Sequence, residues 1–388
     1  MKSFHREIEE RLKEIAGQGL YRKLSDPHGL DFSSNDYLGL SRDPTLHAAI
    51  LKRLKQADEM YPFSSPASRL LRGNTPRHRA VEERLARFKG TEAALLFPTG
   101  YQANIGVLTT LLGPRDRVLS DAQNHASIID GLRLSRCQKI IFPHCGLQAV
   151  KDALVAPYPG GRTCLVTESL FSMDGDVAPL DAYIELVETY GAYLIVDDAH
   201  ATGVFGQQRG SGLTEQFGIE RRTLAIISTF GKAFGLFGAF VAGPKIVIEY
   251  LINRCRSFIF TTAVPPVLLL AVEAALDISS AQAERRQRVC ALADRLRDQL
   301  KTEGVNTLQS SGPIVPVIVG ENERALELAE RLQRRGFDIR AIRPPTVPPG
   351  TARLRISVHA DHQEEEIDDL AAATIEALRG ERVKQVGR

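Results

Sequence analysis

Apolar positions open the chain at helical spacing. Phe4, Ile8, Leu12 and Ile15 fall four, four and three residues apart, and Gly17 follows as a stop. This predicts an amphipathic helix. A short strand is expected at 31–34, then a turn at 35–39, then helices over 44–57 and 76–89, the latter with Val81, Leu85 and Phe88 as its buried stripe. From about Thr91 the pattern changes. Short apolar runs at 93–97, 117–119, 139–142, 164–167, 192–196, 224–228 and 238–242 alternate with helical segments. Several runs are apolar throughout, as in strands covered on both faces. The alternation predicts an α/β unit with a mostly parallel, seven-stranded sheet between helices. Beyond Pro244 the pattern predicts one long helical stretch over 264–302. A strand at 314–319, a helix at 323–335, strands at 338–342 and 353–358, a helix at 363–378 and a frayed tail at 380–388 complete a smaller α+β unit. The expected division is an N-terminal segment 1–45, a large domain 46–280 and a C-terminal domain 281–388, with the N-terminal segment packing beside the last.

Composition narrows the partners. A chain of 388 residues, 43% hydrophobic, exceeds one ordinary core. Lys and Arg total 49 against 47 Asp and Glu, which disfavours nucleic acid as the main partner. The longest greasy stretch, 263–276, is interrupted by Pro265, Pro266 and Glu273, so no membrane span is expected. The N-terminus shows no apolar signal region, and a cytoplasmic protein is expected. Five cysteines without Cys-x-x-Cys spacing argue against disulfides and against zinc, so no metal is expected.

Two motifs carry candidate chemistry. In Ser228-Thr229-Phe230-Gly231-Lys232-Ala233-Phe234-Gly235 a lysine follows an apolar strand among glycines and hydroxyls. Such a lysine can become a nucleophile through desolvation, and the hydroxyls can bind phosphate. An exposed loop lysine has the same local pattern, and a Walker A loop is absent. In Ile195-Val196-Asp197-Asp198-Ala199-His200 a strand ends in two carboxylates and a histidine, at the edge where open α/β sheets bind ligands. One of the two aspartates is expected only to cap the turn.

Asp197 precedes Lys232 by 35 residues, each at a predicted strand end. This pairing resembles the fold-type I pyridoxal-phosphate transferases. Asp-Asp-Ala-His, Ser-Thr-Phe-Gly-Lys and Gly235-Leu-Phe-Gly238 together are similar to the α-oxoamine synthase family. Phe32-Ser-Ser-Asn-Asp-Tyr-Leu-Gly-Leu40, Ser68-Arg-Leu-Leu-Arg-Gly-Asn74, Phe171-Ser-Met-Asp-Gly-Asp176 and the run from Ile342 to Arg355 extend the resemblance from about Phe4 to Leu378. The chain departs from the family at Ser64–Ser68, where relatives often have glycines, and at Ala201.

The resemblance implies pyridoxal 5'-phosphate as cofactor and decarboxylative condensation of an amino acid with an acyl thioester. Arg343-Pro-Pro-Thr-Val-Pro348 is similar to the member that takes L-alanine and a pimeloyl thioester, carried by CoA or acyl carrier protein. Members using glycine or serine with other acyl groups are the alternatives, together with a non-catalytic subunit. By resemblance, Lys232 holds the cofactor and moves the Cα proton, Asp197 pairs with the ring nitrogen, and His200 and Ser172 reach the ring oxygen. His125 stacks on the ring and contacts substrate, although its position also suits a helix cap. Gly100, at the helix start, and Thr229 serve the phosphate, Tyr101 lies against the cofactor although it also suits plain core, and Glu168 serves the condensation step or the orientation of the site. Arg355 binds the amino-acid carboxylate, with Arg353 as its rival on the same strand face. Thr346 and Arg22 match acyl-substrate contacts. Thr261 and Thr262 lie where relatives reach the phosphate of a neighbouring subunit, implying a homodimer. One of the two threonines is also expected to cap the helix starting near Pro265.

Overall fold

The computed structural model describes residues 2–56 and 62–386. Ala57, the expected helix end, and the last two residues of the expected tail lie outside them. Twelve strands run in chain order: β1 (Leu30–Asp31), β2 (Ala93–Phe97), β3 (Arg117–Asp121), β4 (Gln138–Phe142), β5 (Thr163–Glu168), β6 (Tyr193–Asp197), β7 (Ala225–Thr229), β8 (Ala239–Gly243), β9 (Ile314–Gly320), β10 (Phe337–Asp338), β11 (Ala341–Ile342) and β12 (Ala352–Ser357). Two compact units result. One comprises Asn35–Ser172 and Val177–Gln287, the other Met1–Ser34, Met173–Asp176 and Arg288–Arg388.

The larger unit is built on a seven-stranded sheet of order β2-β8-β7-β6-β5-β3-β4. The pairs β3·β4, β3·β5, β5·β6 and β6·β7 are parallel, and only β8 runs against its neighbours. The expected mostly parallel sheet of seven strands is therefore present. Its strands are apolar on both faces because helices cover both sides. Val118, Val166, Ile195 and Ile227 join one buried cluster with Ala103, Val107, Ile128 and Leu251 from helices. Parallel pairing brings the last residues of β3, β5, β6 and β7, namely Asp121, Glu168, Asp197 and Thr229, to one edge of the sheet. Glu168 and Asp197 are direct register partners across β5 and β6.

In the smaller unit, β9, β12 and β11 form an antiparallel sheet, and β1 pairs in parallel with β10. That pairing joins the N-terminal segment to the C-terminal part of the chain. The Arg343 guanidinium donates to the Gly19 carbonyl, and Arg340 to Ser25 Oγ at 2.6 Å.

The local elements differ from expectation in several places, and the short strand expected at 31–34 is Leu30–Asp31. The long helical stretch breaks at Gln282 into Pro266–Ala281 and Ala283–Thr302. The first helix is buried on nearly all faces, whereas the second buries one apolar stripe, Val289, Leu292, Ala293, Leu296 and Leu300, with Arg286 and Arg297 beside it. One straight helix cannot serve both patterns. The strand expected at 338–342 divides because its halves meet different partners, β1 and β12. The last helix, Glu364–Val386, continues through most of the expected tail. The first helix, Lys2–Gly17, forms as its periodicity predicts, but Phe4 remains 61% exposed and Ile8, Leu12 and Ile15 are also exposed in the single chain. No single described helix is long and apolar enough to cross a membrane.

Candidate active site

The two aspartates ending β6 have separate tasks. Asp198 is fully buried and faces Lys89, also fully buried, with Nζ at 2.7 Å from Oδ2. Ser169 Oγ donates to Asp198 at 2.5 Å and Thr214 Oγ1 at 2.8 Å, while Lys89 also donates to Thr202 Oγ1 at 3.1 Å and to the Ser211 carbonyl. A buried ion pair with its remaining hydrogen-bonding positions filled locks the turn after β6. Gly212 is required there, with φ at +128° and room for a Cβ only 2.1 Å from Asp198 Oδ2. Asp198 is thus structural.

Asp197 faces the other way. Its Oδ1 accepts from the Ala199 N–H at 3.0 Å and its Oδ2 from Asn104 Nδ2 at 2.6 Å. Asn104 lies on the helix Gly100–Leu111 and also donates to Ser127 Oγ at 2.9 Å. Ser127 in turn meets His125 Nδ1 at 2.8 Å. The chain Asp197–Asn104–Ser127–His125 therefore sets two candidate site residues through one relay of polar side chains.

His125 caps the helix Ala126–Ser135, Nδ1 accepting from the Ser127 N–H at 3.2 Å. It also lies within electrostatic reach of Asp197 and Lys232. Capping and site membership coexist here. Burial holds the imidazole below its ordinary value, Asp197 opposes this, and Lys232 reinforces it. An Nδ1 that accepts leaves the neutral ring's proton on Nε2.

Glu168 completes the cluster. It is buried, its Oε1 has no hydrogen-bond partner, and the backbone N–H groups of His125 and Ser172 reach its carboxyl group. Burial, reinforced by the Asp197 carboxylate, pushes this carboxyl up to about 8, while Lys232 and the two N–H groups pull it down. Its ordinary value is 4.5. Between these values the folded cofactor-free protein keeps a proton that the unfolded chain has released, so stability falls as pH rises through this window. Glu168→Gln, which cannot ionise, should remove that slope. We expect the variant to match wild type in urea unfolding near pH 4.5 and to exceed it near pH 8 by a few kcal/mol. Parallel stability profiles would overturn this account.

Lys232 is half-buried in the turn after β7. Thr229 ends that strand. Its hydroxyl donates to the Gly238 carbonyl at 2.9 Å and accepts from the Gly231 N–H at 3.1 Å. Opposite lies the start of the helix Gly100–Leu111, capped by Thr99, which takes the Gln102 N–H at 3.2 Å. The first N–H groups of a helix have no intrahelical acceptor and favour an anion. A Cβ added at Gly100 would meet only Thr229 Cβ, at 3.9 Å, so the space before these N–H groups is open. Tyr101 is 43% exposed, meets the His125 ring edge-on at 6.4 Å, and donates its hydroxyl to Asp130. An open helix start beside Thr229, with a half-buried lysine in reach of a buried carboxylate, fits a phosphorylated aldehyde carrying a basic ring nitrogen. Lys232, Asp197, His125, Gly100 and Thr229 would hold it.

His200 is buried, and its Nδ1 lies 2.7 Å from the Tyr37 hydroxyl, which donates to Asn35 Oδ1 at 3.1 Å. Ser172 is half-buried at the end of the segment that follows Glu168. Thr261 is half-buried and Thr262 exposed, and the helix Pro266–Ala281 begins after Pro265 without any side-chain cap. The expectation that one of these threonines caps that helix is corrected: proline at the cap position leaves neither in place for it.

The remaining predicted residues belong to the smaller unit. Arg353 is tied to Asp174 and donates Nε to the Thr351 carbonyl at 3.0 Å. Arg355, two residues on along β12, donates to Ser357 Oγ at 2.8 Å. Arg22 and Thr346, 324 positions apart, come together with Nη2 at 3.5 Å from Oγ1, and both are exposed. Sequence reasoning missed Lys89, Asn104 and Tyr37. Only Tyr37 had a signal, since it lies inside a quoted motif.

A family described as aminotransferase class I and II matches residues 27–373. The chain is 45% identical over 383 residues to a Geobacter sulfurreducens protein named 8-amino-7-oxononanoate synthase, covering 95% of this chain and 97% of that one. Among solved structures, serine palmitoyltransferase from S. paucimobilis with a bound PLP–myriocin aldimine superposes with a TM-score of 0.87 at 28% identity, covering 98% of this chain and 99% of that one. The 8-amino-7-oxononanoate synthase from Francisella tularensis gives 0.78 at 27% identity, over 92% of this chain and 100% of that one. The chain belongs to the aminotransferase class I and II family and is a pyridoxal-phosphate-dependent enzyme of fold type I.

Proposed function

We propose that the protein condenses L-alanine with a pimeloyl thioester, giving 8-amino-7-oxononanoate, carbon dioxide and free thiol. The observation that carries the chemistry is the cluster of Lys232, Asp197, His125 and Glu168 at the ends of parallel strands and the turns that follow them. The 45% identity to a protein of that name over nearly the whole chain supports the substrates. When bound, pyridoxal phosphate supplies an electron sink conjugated to the substrate amine.

The chain's own groups do the rest. Asp197, fixed by Asn104 and Ala199, keeps a proton on the cofactor's ring nitrogen. Lys232 holds the cofactor through Nζ and then moves the alanine Cα proton at that atom. A new bond joins Cα to the acyl carbon, the carbon–sulfur bond breaks, and the thiol leaves. The bond to the carboxylate then breaks, carbon dioxide departs, and a proton returns to Cα in its place. His125 offers Nε2–H from a ring held by Ser127, and Glu168 offers a carboxylic proton from a buried position. His200, braced by Tyr37, and Ser172 serve the cofactor's ring oxygen. Gly100 and Thr229 serve its phosphate, and Tyr101 lies against the cofactor.

Arg355 takes the alanine carboxylate through its planar two-pronged donor, with Arg353 beside it bound to Asp174. Arg22 and Thr346, brought together at 3.5 Å, contact the acyl substrate. Thr262, exposed in the single chain, and Thr261 complete the phosphate site of a second copy in a cytoplasmic homodimer. A monomer by sedimentation would contradict that assembly.

Initial rates test the substrate reading. Purified protein is given pimeloyl, acetyl, succinyl and palmitoyl thioesters, each with alanine, glycine and serine. We expect alanine with pimeloyl thioester to exceed every other pair by roughly tenfold or more, the discrimination that a few methylenes in an apolar pocket support. Preference for glycine with an acetyl or succinyl thioester would reassign the enzyme within its family.

A further inference from the structure

The turn after β4, Phe142-Pro143-His144-Cys145-Gly146, carries side chains that the condensation does not use. His144 Nδ1 lies 2.9 Å from Asp121 Oδ1, and its Nε2 lies 3.8 Å from Cys145 Sγ. Asp121, at the end of β3, is fully buried at its side chain, whereas His144 is 21% exposed. The carboxylate is fixed further by the Gln123 N–H at 2.8 Å and the Cys145 N–H at 2.8 Å. The His144 ring stands edge-on to Phe171, with centroids 4.3 Å apart. The carboxylate thus orients the ring, and the ring presents its second nitrogen to the thiol. Nucleophile, base and orienting group stand in the order of an activated-thiol constellation.

Three features make this more than a packed turn. Cys145 has φ at +51°, a left-handed conformation that non-glycine residues adopt sparingly, and it holds the half-buried sulfur on the histidine side. The other cysteines lack such a base. Cys137, Cys164 and Cys255 are buried, and burial pushes the thiols of Cys164 and Cys290 up to about 12 and about 11. The donor atoms of Asp121, His144 and Cys145 lie within 4.8 Å of one another, close enough for the three side chains to act together.

We propose that Cys145 is a nucleophilic thiol, activated by His144 and Asp121, that exchanges with small disulfides. The sulfur attacks one sulfur of the disulfide, the old S–S bond breaks, and a mixed disulfide forms on Cys145. The departing thiolate receives the proton that His144 took from Cys145. The incoming disulfide is the oxidant, and half of it leaves as reduced thiol, so electrons and protons balance. Acyl transfer fits less well. The turn's N–H groups are engaged, Cys145 with Asp121, Gly146 with the Pro143 carbonyl at 2.8 Å and Leu147 with the Cys145 carbonyl at 3.0 Å. These three are already spent and do not serve a tetrahedral oxyanion, which attack at sulfur does not need.

The test uses the folded holoenzyme at neutral pH. Dithiodipyridine reports the rate of thiol exchange, oxidised glutathione is the small disulfide, and mass spectrometry of proteolytic fragments locates the adduct. Cys145 should be modified first and Cys290, the other half-buried cysteine, more slowly. Excess reduced thiol should remove the adduct, and Cys145→Ser should abolish the fast phase. His144→Gln should slow the Cys145 phase by about threefold to tenfold, since a larger thiolate fraction is partly offset by lower intrinsic nucleophilicity. Melting curves and circular dichroism confirm that the variant folds. Should it not fold, the comparison of Cys145 with Cys290 in the wild-type enzyme decides. Labelling of Cys145 no faster than Cys290, or an unchanged rate in a folded His144→Gln, overturns the proposal.

Discussion

Lys232→Ala should bleach the protein and reduce turnover by ~10³-fold or more, within the range lost when a positioned proton-transfer group is removed and its covalent link to the cofactor goes with it. The fold should survive. The turn that carries Lys232 is closed by backbone bonds that do not involve its side chain, from Phe230 N–H to the Gly238 carbonyl at 2.9 Å, Leu236 N–H to Phe230 at 2.9 Å and Gly235 N–H to Lys232 at 2.8 Å. The side chain is only half-buried, so its removal leaves no large core cavity. Three readouts therefore separate. Visible absorbance of the Schiff base disappears, the cofactor-free protein still unfolds cooperatively, and turnover collapses. A variant that keeps both its colour and its turnover would move the cofactor link elsewhere in the chain.

The strands of the large sheet were legible because burial on both faces writes an uninterrupted apolar run, and each run's polar end marks the ligand edge. Asp197 and Lys232 stand at or just beyond such ends, but only the resemblance carried by their motifs together assigned them roles. What the sequence could not display were partners chosen by the tertiary fold. Asn104 meets Asp197 across 93 positions and Lys89 meets Asp198 across 109. Nothing local distinguishes either from an ordinary helical polar residue. The break at Gln282 was hidden for a related reason. Two adjacent helices with different burial patterns merge into one helical run when only propensity and apolar content are read. His125 shows the limit from the other side: its cap role is local and legible, while its place beside Asp197 and Lys232 depends on how β5, β6 and the turn after β7 are brought together.

Asp197→Asn should keep the fold and lose turnover by roughly 10²- to 10³-fold, the range for removing a preorganised electrostatic partner from a reaction. The replacement has nearly the same shape, but both oxygens of Asp197 accept N–H groups, one from Ala199 and one from Asn104. An amide must turn its NH2 toward one of these donors, so one hydrogen bond is lost as well as the charge. That costs about 1–3 kcal/mol of stability if the donor stays dry. The deeper loss is chemical, because a neutral amide cannot hold a proton on the cofactor's ring nitrogen, and the ring then accepts electrons poorly. Asp198→Asn supplies the contrast. It leaves the buried Lys89 ammonium without its counter-charge, a defect of about 3–5 kcal/mol for buried pairs, yet it leaves the carboxylate of Asp197 in place. Measured together, the first variant should lose rate far more than unfolding free energy, and the second should lose unfolding free energy while the molecules that stay folded retain most of their rate. The opposite pattern would assign the ring nitrogen to Asp198, and an equal loss of rate in both would make the whole Asp197-Asp198 turn, rather than one carboxylate, the element that the cofactor depends on.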